Sequence, residues 1–111
     1  MAQPSSLGEF EQIVILAILR LGDNAYGFTI RTEIKARIGR EPSVGALYAT
    51  LDRLAEKGLL AARTGDPTPQ RGGRAKRFFT VTGSGIDAVA SAQRAYQSLL
   101  SGLTLPGVAY A

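Results

Sequence analysis

The chain of 111 residues contains no cysteine and no histidine. Without cysteine there are no disulfides and no thiolate metal ligands. Without histidine, triads, imidazole acid–base chemistry and most zinc sites lose their usual residue, so neither a metal site nor a cofactor is expected. The carboxylates do not make up for this, being scattered over Glu9, Glu11, Asp23, Glu33, Glu41, Asp52, Glu56, Asp66 and Asp87. Asp52 and Glu56 are four residues apart on a predicted helix, but Arg53 and Lys57 beside them make a salt-bridged, solvated face rather than a catalytic pair. Composition therefore points away from an enzyme. Long apolar runs are also lacking: the longest, Ile13 to Leu19, has seven residues, where a membrane span needs about 18 or more. The N-terminus has neither the basic region nor the long apolar region of a signal peptide, and a cytoplasmic protein is expected.

Positive charge is present, and it is concentrated. The net charge is +4, and Arg71, Arg74, Lys76 and Arg77 supply four positive charges on their own. The other residues therefore sum to zero. The glycine pair Gly72-Gly73 lets the backbone turn tightly and approach a partner closely. Phe78, Phe79, Thr80 and Val81 follow as a strand that anchors the turn in a core. A basic hairpin tip on an otherwise neutral domain suits a polyanion, with nucleic acid as the first candidate.

Apolar spacing predicts four helices and one hairpin. The first helix runs from Gly8 to Leu21, started by Ser6 or Gly8. Its apolar run could also be a strand, but Glu9 and Glu11 in the first turn favour a helix. That helix is apolar almost all round, so it needs cover on several sides. Gly22-Asp23-Asn24 is a turn and N-cap for a second helix, roughly Ala25 to Ile38, with Phe28, Ile30, Ile34 and Ile38 apolar and Gly39 closing it. Ser43 caps a third helix, about Val44 to Lys57, ending at Gly58. Val44, Leu47, Leu51 and Leu54 form its buried stripe, leaving Gly45, Ala46, Tyr48, Ala49, Thr50 and Arg53 outside. Leu59 to Thr64 and Ala75 to Val81 are the two strands. Thr82 caps a last helix from Gly83 to Leu100 or Gly102.

Three helices followed by a hairpin is the order of a winged helix-turn-helix. The expected fold is thus mainly α with a small β-hairpin: a winged helix-turn-helix over residues 7–82, a C-terminal dimerisation helix over 83–102, and flexible ends at 1–6 and 103–111. The third helix would enter the major groove of double-stranded DNA. Gly45, Ala46 and Ala49 are small enough for close approach, while Ser43, Tyr48, Thr50 and Arg53 offer donors to phosphates or base edges. The wing set is Arg71, Gly72, Gly73, Arg74, Lys76 and Arg77. Ile86, Val89, Gln93, Tyr96, Leu100 and Leu103 follow a heptad-like seam. With Phe10, Ile13, Val14 and Ala17 of the all-round apolar first helix, they form the expected homodimer interface. A winged helix used only to dock another protein is the alternative, but four clustered cations at the tip favour DNA.

The residues resemble the PadR-type transcriptional regulators. The resemblance runs through Leu7-Gly8-Glu9-Phe10-Glu11, Ala17-Ile18-Leu19, Ala25-Tyr26-Gly27 with Ile30, and Ser43-x-Gly45-x-x-Tyr48-x-x-Leu51-x-x-Leu54-x-x-x-Gly58-Leu59. It continues through Arg71-Gly72-Gly73-Arg74-x-Lys76-Arg77-Phe78-Phe79 and ends at Thr82-x-x-Gly85. It implies a homodimer on a roughly palindromic operator, usually acting as a repressor, with the C-terminal helix making much of the dimer contact. The short C-terminal region resembles the family's small subgroup, some of whose members bind flat aromatic or drug-like effectors between the subunits, stacked on tryptophan. This chain has no Trp, which leaves Phe10 and Tyr96 to line such a site.

Two motifs mislead. Gly83-Ser84-Gly85-Ile86-Asp87-Ala88 fits a dinucleotide-binding turn, yet only one helix and a tail follow, so no second parallel strand can complete the unit. It reads as a helix start capped by Thr82 or Ser84. Gly72-Gly73-Arg74-Ala75-Lys76 lacks the spacing of a phosphate loop and reads as a wing.

Overall fold

A computed structural model describes residues 7–65 and 76–106. Its order is α1 (Glu9–Leu21), a 3-10 turn (Gly22–Asn24), α2 (Gly27–Ile38), α3 (Val44–Glu56), β1 (Leu60–Thr64), β2 (Arg77–Val81) and α4 (Gly83–Leu100). The strands pair antiparallel, from Leu60 opposite Val81 to Thr64 opposite Arg77. No described helix is long and apolar enough to cross a membrane. The hairpin tip with Arg71, Gly72, Gly73 and Arg74, the expected strand start at Ala75, and the end segments 1–6 and 107–111 lie outside the described residues.

Each helix start has a local cause. In α1 the Gly8 N–H donates to Glu11 Oε1 at 2.9 Å, so the first-turn carboxylate does the capping. α2 begins two residues later than the sequence suggests, with Tyr26 as its cap residue. Asp23 and Asn24 do not cap it. The Tyr26 N–H donates to Thr29 Oγ1 at 2.9 Å, and that hydroxyl donates to the Asn24 carbonyl at 2.6 Å. Ala25 and Tyr26 stay extended because they join the wing: the Phe79 N–H donates to the Ala25 carbonyl at 2.9 Å, and Tyr26 forms an isolated bridge with Phe78. Ser43 and Thr82 cap as expected, accepting from the Ala46 and Gly85 N–H groups at 3.1 Å each. Gly39 closes α2 at φ 70°, a left-handed conformation that glycine adopts without strain.

The core sits where all the elements meet. Val14, Ile15 and Ile18 of α1, Ile30 and Ile34 of α2, Leu47, Leu51 and Leu54 of α3, Leu60, Phe79 and Val89 are all buried. Burying each such side chain contributes about 1.5–3 kcal/mol before entropy is counted. Three expected core residues are outside it: Phe28, Ile38 and Val44 are exposed. Val44 is the first residue of α3 and lies beyond the edge of the core, while Thr50 takes the inner position, only 3% exposed. The inner stripe of α3 is thus Leu47, Thr50, Leu51 and Leu54, turned slightly from the expected one.

α4 leans on the domain with its first half only. Gly85 and Val89 are buried, and Gln93 Nε2 donates to Gln12 Oε1 on α1 at 3.4 Å. Beyond that point Tyr96, Leu99 and Leu103 are exposed.

Candidate nucleic-acid interface

The helix expected to read DNA presents Val44, Gly45, Ala46, Tyr48, Ala49, Asp52 and Arg53 to solvent, with Ser43 exposed at its cap. Gly45 is open: a Cβ built there meets nothing within 4 Å. The geometry keeps Ser43, Gly45, Ala46, Tyr48 and Ala49 on one accessible surface. It removes Thr50, whose hydroxyl is buried and accepts from Arg53 Nη2 at 3.3 Å. The reason is helical phase, since Thr50 follows Leu47 by three residues and precedes Leu54 by four.

Arg53 is exposed but engaged. Its Nε donates to Glu11 Oε2 at 3.0 Å, and Lys57 Nζ donates to the same oxygen at 3.2 Å. Burial of Glu11 pushes its carboxyl pKa up, but the Gly8 N–H, Arg53 and Lys57 together outweigh that and hold it below the usual value. One carboxylate therefore caps α1 and fastens α3 to it. Sequence reasoning missed this role for Glu11; its position three residues into a helix headed by glycine was the available signal.

The tip of the Tyr48 ring packs against the start of α2. A methyl at Gly27 would run into the Tyr48 hydroxyl and come within 2.8 Å of Cζ. The ring tip thus occupies space that only glycine leaves free at the start of α2. Arg31 fixes the entry to α3, with its Nε donating to the Pro42 carbonyl at 3.0 Å.

The base of the wing is a ladder of cations on aromatic rings. The Lys76 ammonium lies 4.5 Å from the Tyr26 ring centre, the Arg63 guanidinium 4.6 Å from that of Phe78, and the Arg77 guanidinium 5.0 Å from that of Phe79. Tyr26 and Phe78 meet edge to face at 5.3 Å. Arg63 was missed in the sequence because it stands on β1, away from the cluster at 71–77. Arg77 of the expected wing set is also tied to α3: its Nη1 donates to Asp52 Oδ1 at 2.9 Å.

The expected dimer residues divide. Val14, Ala17 and Val89 are buried within the chain, because α2, α3 and α4 already cover that side of α1. They have no surface left to offer a partner. Phe10 and Ile13 are half-buried, and Arg40 lies over the Phe10 ring at 6.0 Å. Ile86, Gln93, Tyr96 and Leu103 are exposed and Leu100 is half-buried. The apolar face that α1 leaves uncovered carries Leu16 and Leu19, at 39% and 44% exposure. Sequence reasoning passed over both, since an all-round apolar helix gives no phase from which to choose its open side.

Several solved structures share this fold. A PadR family transcription regulator from hypervirulent Clostridium difficile is 22% identical, with 83% of this chain and 92% of that one covered at a TM-score of 0.66. A PadR-like transcription factor from Bacteroides fragilis is 23% identical, covering 83% and 84% at a TM-score of 0.65. A winged-helix DNA-binding protein from STIV is 18% identical, covering 84% and 92% at a TM-score of 0.65. No curated protein matches the chain. The model of the transcriptional regulator PadR-like family matches residues 15–91. That match runs from α1 through the hairpin into α4, and the chain belongs to the PadR-like family of transcriptional regulators.

Proposed function

We propose that this regulator binds double-stranded DNA as a homodimer on a roughly palindromic operator and acts as a repressor in the cytoplasm. The observation that carries the reading is the exposed, small-residue face of α3, with Gly45, Ala46 and Ala49, beside a wing base lined by Arg63 and Lys76. Such a face admits the floor of a major groove, and the cations meet the flanking phosphates. Residues 7–82 would form the DNA-binding unit and 83–102 the dimerisation helix.

Two apolar surfaces support the dimer: Leu16 and Leu19 on α1, and Tyr96 and Leu99 at the far end of α4 with Leu103 just after it. An isologous pair would cover both, and two-fold symmetry would set the recognition helices about 34 Å apart, one DNA turn. Any flat aromatic effector held between the subunits would meet Tyr96 before Phe10, which Arg40 already covers.

Sedimentation and selection of bound fragments from genomic DNA test this together. The wild type is expected to sediment as a dimer and to enrich palindromic fragments. Leu16→Glu with Leu99→Glu is expected to give folded monomers that no longer retain those fragments. A wild-type monomer at micromolar concentration that still selects DNA would overturn the dimeric reading.

A further inference from the structure

Asp52 is out of place on a surface meant for a polyanion. It stands on the exposed face of α3, between Leu51 and Arg53, where a carboxylate would repel phosphate. Its Oδ1 accepts from Arg77 Nη1 at 2.9 Å. The same guanidinium lies 5.0 Å from the centre of the Phe79 ring, and Phe79 is part of the core. Arg77 is therefore held on two sides, by a ring that cannot move and by a carboxylate on the recognition helix. Lys76 and Arg63 share the stacking on aromatic rings but pair with no carboxylate among the described residues.

We propose that Asp52 sets the sequence-independent affinity for DNA, withholding Arg77 from phosphate and clasping the base of the wing to α3. Both partners are about half exposed. An ion pair so placed adds little to the stability of the fold. Its larger effect is on the charge facing the nucleic acid. With Asp52 present, the pair presents no net charge to the backbone. Without it, one cation per subunit becomes available to displace a counterion from the duplex.

The proposal rests on α3 and the wing being the DNA-binding face, and the test separates the two. Binding to a mixed-sequence duplex is measured across a salt series for the wild type, Asp52→Asn, Arg77→Gln and the double variant. Asp52→Asn is expected to bind more tightly at every salt concentration and to steepen the log K against log salt slope by about one per subunit. Arg77→Gln alone is expected to weaken binding, because it leaves the Asp52 carboxylate unpaired before the phosphates, while leaving the slope unchanged, since no cation–phosphate contact is lost. The double variant is expected to fall back to the wild-type slope, which assigns the gain to Arg77 rather than to loss of a repulsive charge. If Arg77→Gln flattens the slope equally with and without Asp52, the proposal is overturned, since Arg77 then reaches phosphate regardless. If Asp52→Asn leaves the slope unchanged, it is overturned as well. A wild type with no salt-dependent binding at all would instead remove the DNA-binding reading itself.

Discussion

Replacing Glu11 should weaken the hold of α1 on α3, and the structure sets the size of the loss. The side chain is only 8% exposed and accepts from three donors: Gly8 N–H, Arg53 Nε and Lys57 Nζ. Removing a helix cap costs about 1 kcal/mol. Charge-assisted hydrogen bonds are each worth about 1.5–3 kcal/mol when both partners are buried. Here the Arg53 and Lys57 side chains are 49% and 35% exposed. They recover water once released, so each of these bonds is worth about 1 kcal/mol or less. Glu11→Ala should then lose about 2–3 kcal/mol in all. With a urea slope of about 1.5 kcal/mol per molar, the midpoint falls by about 1–2 M. Glu11→Gln keeps an oxygen for the Gly8 N–H and should lose about half as much.

The pH dependence gives this prediction its sharper form. The carboxyl pKa of Glu11 is lowered in the folded chain, so its stabilising contribution is fully present above the unfolded value of about 4.3. It is lost as pH falls through the lower folded value. The gap between the wild type and Glu11→Gln should therefore be constant near neutrality and close in acid. Chemical denaturation at fixed protein concentration, repeated down the pH scale, measures it. A Glu11→Ala midpoint equal to that of the wild type at neutral pH would refute the reasoning. A gap to Glu11→Gln that persists unchanged well below the folded pKa would do the same.

Gly85→Ala should destabilise by about 1–3 kcal/mol, because the new methyl would overlap the Leu59 carbonyl oxygen, and backbone cannot move aside cheaply; thermal unfolding reads this directly. Gly27→Ala should behave differently, since its methyl meets the end of the Tyr48 side chain. A small loss of stability with a clear loss of DNA affinity is expected there, and with Tyr48→Ala as background the added methyl should have little further effect on binding. Equal effects of Gly27→Ala in both backgrounds would show that Tyr48 is not the group displaced.

The parts of the fold legible in the sequence are those fixed by local chemistry. Ser43 and Thr82 accept from the N–H groups three residues on, and Gly39 takes the left-handed conformation that ends α2. The α3 stripe was readable at Leu47, Leu51 and Leu54, whose spacing leaves one solution. It failed at Val44 and Thr50, where composition pulls against position. Valine at the first helical residue lies past the core, and threonine fits inside because Arg53 satisfies its hydroxyl. The tie between α3 and the wing was not legible for a different reason. Counting charge finds Arg77 but not Asp52, which lies 25 residues away and is joined to it only by folding.

The same distinction explains how α3 is held. Three long-range ties reach it: Glu11 of α1 at Arg53, Gly27 of α2 beneath Tyr48, and Arg77 of β2 at Asp52. They meet its outer face at positions 48, 52 and 53, one helical turn or one residue apart. None contributes to the apolar stripe, so the core alone would leave the outer side chains of the helix unfixed. A reader of DNA needs those side chains in place as much as it needs the helix, because a base-edge contact is lost within a fraction of an ångström. The ties convert a packed helix into a positioned one. On the proposed reading, Glu11, Gly27 and Arg77 hold side chains that would face the duplex without touching it themselves.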